Sequence, residues 1–201
     1  MDLVFPEETR QQEFDKIIDE VLGKNKVNVF IGKFVLREKD KKKKSQVTCD
    51  LIIDTKVIKI NGTGNGAVDA LYNSIIHKLH KQYQSLSGVK FEDFSLRVKF
   101  KQSHSWNQTD APVEIKLALR SDANKSDLYF SAESRSLMVA AISVIRKAIK
   151  FLINSELSVI QLRKDIQSAK ERNRSDLVSA YTLQLSEILH VANYEHLFLN
   201  C

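Results

Sequence analysis

The sequence predicts an α+β fold: two pseudo-twofold βββα repeats form one domain, with an N-terminal helix before it and a C-terminal helical hairpin after it. Two observations carry that reading. Apolar residues change from strand-like alternation to helical three-four spacing twice along the chain, in the same order each time. The two halves also match without a gap at the strand-to-helix junction. Val57-Ile58-Lys59-Ile60 lies against Leu128-Tyr129-Phe130-Ser131, and Val68-Asp69-Ala70-Leu71 against Val139-Ala140-Ala141-Ile142. Units repeated in this way bury their apolar faces against each other.

The elements follow in order. Phe14, Ile17, Ile18, Val21 and Leu22 recur as one stripe of an amphipathic helix, which stops at Gly23, a residue suited to a left-handed cap. Val27 to Leu36 alternates in part and Val47 to Ile53 is rich in β-branched residues, so the lysine run Lys39 to Lys44 reads as the hairpin loop between two strands. Lys56 to Ile60 is a third short strand leading into Asn61-Gly62-Thr63-Gly64-Asn65-Gly66, a turn in which the glycines permit positive φ. A helix follows with Val68, Leu71, Ile75, Ile76 and Leu79 on one side, ending before Ser85 to Gly88.

The order then restarts. Phe91 to Phe100 alternates, a polar loop covers Ser103 to Asp110, Val113 to Leu119 alternates again, Asp127 to Ser131 is the third strand, and Ser136 to Ile153 is the second helix. Beyond Glu156, helix formers and a capping signal at Ser175 before Leu177, Tyr181, Leu185, Ile188 and Leu189 give the hairpin. It serves either as extra core cover or as a docking arm. The division expected is 1–25 for the N-terminal helix, 26–155 for the repeat domain and 156–201 for the helical extension.

Composition narrows the function. With 201 residues, one main domain plus appendages is the default. A hydrophobic content of 43% and a charged content of 28% fit a soluble protein, and no segment has the ~18 uninterrupted apolar residues of a membrane span. Met1 to Arg10 has acids and a proline where a secretory signal needs a basic start and an apolar run, so the expected location is the cytoplasm. Cys49 and Cys201 are expected to be free thiols. The net charge of +6 is concentrated in Lys39 to Lys44 with no interleaved aromatics to stack on bases, which reads as a solvated loop tip with no nucleic-acid partner.

No catalytic constellation emerges, and neither a metal nor a cofactor is expected. His77 and His80 share a helix face, but no Cys or acid completes a metal site. His104, His190 and His196 are isolated, Ser134 and Ser136 beside Arg135 have no base, and Trp106 reads as a loop anchor. Gly62, Gly64 and Ala67 satisfy the dinucleotide pattern G-x-G-x-x-A, yet a Rossmann unit needs a parallel strand ending in an acid, and the strands here form an antiparallel meander.

The longer string Gly62-Thr63-Gly64-Asn65-Gly66-Ala67-Val68-Asp69-Ala70-Leu71 closely resembles the signature of the C-terminal regulatory domain of 2-isopropylmalate synthase and citramalate synthase. The resemblance extends to the doubled strand-strand-strand-helix order and to the alanine-rich second helix. It implies a homodimer that binds a feedback inhibitor, leucine or isoleucine, between repeat units, and a separate synthase as possible client. The ligand-binding residues it points to are Gly64, Asn65, Gly66, Val68, Asp69 and Leu71. Read from the residues alone, the glycines serve a tight turn, Val68 and Leu71 the core, and Asp69 the positive end of the helix dipole.

Two departures stand out: Ala67 replaces a proline, and Ser134-Arg135-Ser136 replaces a glycine-containing turn in the second repeat. The family's catalytic part, a metal-dependent barrel longer than this chain, is not within these residues. The function expected is a stand-alone allosteric ligand-binding and dimerisation module, not an enzyme. The alternative is an interaction protein that has lost ligand binding and docks a partner through its C-terminal helices.

Overall fold

A computed structural model describes residues 6–39, 44–98, 111–121 and 124–198, and the expected elements form in the expected order, except that the second helix and the first arm of the hairpin are one continuous helix. Helix α1 (Pro6–Leu22) is followed by strands β1 (Val29–Lys39), β2 (Lys44–Ile53) and β3 (Lys56–Gly64) and by helix α2 (Ala67–Leu79). The second unit has β4 (Val89–Val98), β5 (Val113–Ser121), β6 (Asn124–Ser134) and α3 (Leu137–Glu171), with α4 (Ser175–Ile188) returning beside α3. The two meanders are separate three-stranded antiparallel sheets in the orders β1-β2-β3 and β4-β5-β6. The lysines at 41–43, the loop at Ser103 to Asp110 with His104 and Trp106, and Cys201 lie outside the described residues.

Strand alternation decides which face of each sheet is covered. In β2, Ser45, Val47, Cys49, Leu51 and Ile53 point inward while Lys44, Gln46 and Thr48 face out; in β5, Ile115, Leu117 and Leu119 do the same. Helix α2 lays Leu71, Ile75 and Leu79 on β2 and β3. Helix α3 lays Ala141, Ile145 and Ile149 on β5 and β6 and also passes β1. Each first strand carries a bulge, between Gly32 and Val35 in β1 and between Phe91 and Asp93 in β4, at different positions along its middle strand.

The register corrects the gapless match made from the sequence by one residue. Leu36 and Gly62 flank Val47, and Leu96 and Ala132 flank Ile115, which sets Gly62 against Ala132 and Ile60 against Phe130. The sequence match had set Ile60 against Ser131. A slip of one residue turns a strand over, and burial arbitrates: Ile60 and Phe130 are both buried whereas Ser131 is exposed.

Two segments drawn outside the repeat domain share its core. Phe14, Ile18 and Leu22 of α1 are buried, and the Gln11 side-chain oxygen accepts the backbone N–H of Tyr129 on β6 at 2.7 Å. At the other end, α3 runs unbroken past the boundary placed at 155–156. Ile188, Val191, Ala192 and Tyr194 join the same buried cluster, so the end of α4 and the segment after it cover part of the core. No helix among the described residues is long and apolar enough to cross a membrane.

Gly23 ends α1 with φ +51°, in the left-handed region, and nothing lies within 4 Å of where its Cβ would stand. A side chain there has room but pays the left-handed backbone cost. Gly23→Ala is therefore expected to lose about 1 kcal/mol in urea unfolding, and unchanged stability would show that α1 can end without this cap.

Candidate functional site

The site singled out in the sequence is where β3 hands over to α2. Its glycines are required for a different reason from the one expected. Gly62 and Gly64 lie within β3, Gly66 is extended at φ 178°, and none of the three adopts positive φ. What they permit is close approach. A Cβ on Gly62 would overlap the Ser74 side chain, with Ser74 Cβ at 2.6 Å. A Cβ on Gly64 would stand 2.5 Å from the Ala70 nitrogen and 2.7 Å from its Cα. The start of α2 is thus pressed against the strand, at a distance only hydrogen side chains allow.

Asp69 then fixes the turn. One carboxylate oxygen accepts the backbone N–H of Asn65 at 2.8 Å and the other accepts the Asn73 side-chain amide at 2.6 Å. A third-position acid reaching back to the main chain before its helix works as half of a capping box. The Asn65 side chain is exposed and makes no hydrogen bond to the described residues. No side chain caps α2 from Gly66, so its opening N–H groups remain directed outward with the positive end of the helix dipole.

Of the six residues named from the sequence, Gly64, Asn65, Gly66 and Asp69 come together at this turn. Val68 is half-buried beside them, and Leu71 is fully buried against the sheet, where its role is packing. In the second repeat, Ser134, Arg135 and Ser136 occupy the places of Gly64, Asn65 and Gly66. Ser136 Oγ accepts the Val139 N–H at 3.4 Å, and Ser134 Oγ accepts the Ser136 N–H at 3.2 Å. Hydroxyls there take up N–H groups that the first repeat leaves open, and the exposed Val139 stands where the first repeat has Asp69.

Sequence reading missed a buried polar cluster halfway along α3. Asn154, Ser155, Glu156 and Ser158 are all buried. Asn154 both accepts from and donates to the backbone of Val27, at 2.8 and 3.0 Å. Glu156 accepts the Ser85 hydroxyl and, at 3.2 Å, the Ser85 N–H, and His196 Nε2 lies 3.4 Å from its other oxygen. The signal was present as a polar run interrupting an otherwise apolar helix, but it coincided with the expected end of the domain.

The His77 and His80 rings lie 5.5 Å apart, and no group of three metal-ligating side chains occurs among the described residues. Cys49 is free and buried, and burial followed by the nearby Asp50 charge pushes its thiol up to about 11, away from thiolate reactivity. Compared with known families, residues 8–153 match the model of the LeuA allosteric (dimerisation) domain. No curated protein matches the chain.

Proposed function

Because this chain belongs to the LeuA allosteric (dimerisation) domain family, we propose that it is a dimerising regulatory module that binds a small aliphatic amino acid, leucine or isoleucine by preference, at the turn between β3 and α2. The observation that supports this most directly is the preorganised turn. Asp69 holds Asn65 through the main chain, while the Asn65 amide and the first N–H groups of α2 stay available. Those N–H groups suit a carboxylate, and the Asp69 carboxylate beside them gives an ammonium group its partner. The matched family is a regulatory domain, so we assign no reaction to these residues. The client we propose is a synthase of branched-chain amino-acid biosynthesis.

Exposed apolar surface supports the dimer. Phe30, Ile52 and Val57 are paired across the outer face of the first sheet, and Phe30 and Val57 are 50% and 56% exposed there. A cross-strand apolar row on a solvent face marks a surface made to be covered. The matching face of the second sheet carries Arg120 in ion pairs with Glu92 and Asp127 instead.

A thermal-shift panel of leucine, isoleucine, valine and their 2-keto acids tests the ligand. An amino acid at about a hundred times its Kd is expected to stabilise the fold by ~2.7 kcal/mol, a rise of several degrees. Asn65→Ala should keep the melting temperature of the free protein and lose the response. Silence across the panel, or an unchanged response in Asn65→Ala, would remove this turn as the sensor.

A further inference from the structure

Helix α1, the edge strand β6 and helix α3 enclose a groove of about 390 Å³, within the ~300–1,000 Å³ typical of small-molecule sites. Its floor exposes the rims of two largely buried aromatic rings. Phe130 and Phe151 meet edge to face with centroids 5.5 Å apart, and Ile18 closes the side.

The walls carry opposite charges. On the α3 wall, Lys147 Nζ donates to the Ser131 carbonyl at 2.7 Å and Lys150 Nζ to Asn28 Oδ1 at 3.0 Å. Both acceptors are neutral, and neither lysine makes an ion pair with the described residues. On the α1 wall, Asp19 is committed to Lys26 at 2.6 Å, whereas Asp15 has no hydrogen bond or ion pair among the described residues. Desolvation, and then the negative charge of Asp19, hold the Asp15 carboxyl above its usual range although Lys26 pulls it down, so a further cation beside it would favour the carboxylate form. Two cations facing one anion across an aromatic floor match a molecule with a carboxylate at one end of its polar head, an ammonium at the other, and an apolar side chain.

We infer that this groove is a second small-molecule site, taking a zwitterionic amino acid with its carboxylate at Lys147 and Lys150, its ammonium at Asp15 and its side chain on Phe130 and Phe151. It shares no residue with the turn between β3 and α2 and stands independently of the reading given there. Helix α1 supplies the acidic wall and its neighbours α3 and β6 the rest, which gives the N-terminal helix a purpose beyond covering the edge of β6.

Isothermal titration of the full chain tests it, with leucine and phenylalanine as probes beside the matching 2-keto acids, which lack the ammonium, and the matching amines, which lack the carboxylate. The expected result is binding of the amino acids, with both analogue series weaker by about tenfold or more. Asp15→Asn should weaken the amino acids by a similar factor and leave the keto acids unchanged. Lys147→Met with Lys150→Met should weaken both, and the same losses should be seen in an Asn65→Ala background, where the turn no longer contributes and the groove is intact. Absence of binding, keto acids binding as well as amino acids, or indifference to both groove variants would each overturn the site. So would a response lost only in Asn65→Ala, which would place the ligand at the turn. Asp15 is exposed on its helix, so Asp15→Asn reads binding without disturbing the core.

Discussion

Gly64→Ala is expected to destabilise the protein by about 3 kcal/mol, at the upper end of the usual cost of overpacking, and to lower its melting temperature by roughly 10 °C. The added methyl would meet the nitrogen and Cα of Ala70 at 2.5 and 2.7 Å, and both atoms belong to the first turn of α2. Backbone in a packed helix cannot swing aside as a side-chain tip can, so α2 would have to lift from β3. That movement would also strain the bond from the Asn65 N–H to Asp69.

Gly62 offers the control. Its Cβ would collide with the Ser74 side chain alone, with the Ser74 Cα a tolerable 3.5 Å away. Gly62→Ala should therefore be largely rescued by Ser74→Gly, apart from the ~1 kcal/mol that glycine costs inside a helix, whereas Ser74→Gly should do nothing for Gly64→Ala. Urea unfolding of the four variants reads this as a coupling energy. Equal behaviour of the two glycines would show that the strand-to-helix distance is not what selects them.

The same glycines show how far the sequence could be read. Their spacing was legible and their purpose was not, because a turn and a close approach both select glycine, and only the position of α2 separates the two. Alternation and three-four spacing located all the repeat elements, since each sheet and each helix buries one face against the other. The register between repeats was lost by one residue because Ile58-Lys59-Ile60 and Leu128-Tyr129-Phe130 alternate equally well in either alignment. Asp69 was recognised as suited to a helix N-terminus, while its bond to Asn65 depends on the path of the turn. At the other end, Asn154, Ser155 and Glu156 resembled the edge of a domain, since polar residues on an apolar helix normally mean solvent. Their partners Val27, Ser85 and His196 are remote in sequence and nothing local announces them.

Glu156 is where the second large effect is expected. Its carboxylate is 3% exposed and joins three segments: the middle of α3, the 3-10 turn Gln84–Gly88 that follows α2, and the closing residues around His196. Glu156→Ala would leave the Ser85 N–H and hydroxyl without an acceptor in a dry site, at a cost of about 1–3 kcal/mol for each orphaned group, and would remove the carboxylate 3.4 Å from His196 Nε2, which makes no hydrogen bond among the described residues. We expect a net loss of about 3 kcal/mol, in line with breaking one side of a buried polar pair. Glu156→Gln keeps an oxygen for Ser85 and gives up only the charge facing His196, so its loss should be nearer 1 kcal/mol.

Hydrogen exchange adds a readout that a simple cavity would not produce. Residues 84–88 and 193–198 should lose protection together in Glu156→Ala, although they lie more than a hundred positions apart, while β2 at the centre of its sheet keeps its own. If only α3 near the substitution loosens, Glu156 acts as local packing and the closing segment is held by Val191, Ala192 and Tyr194 and by Arg163, which donates to the Leu197 carbonyl and lies over the Phe198 ring. Joint loosening would instead make the carboxylate the tie between the end of the first repeat and the end of the fold, which explains why α3 keeps a carboxylate among buried positions that are otherwise neutral.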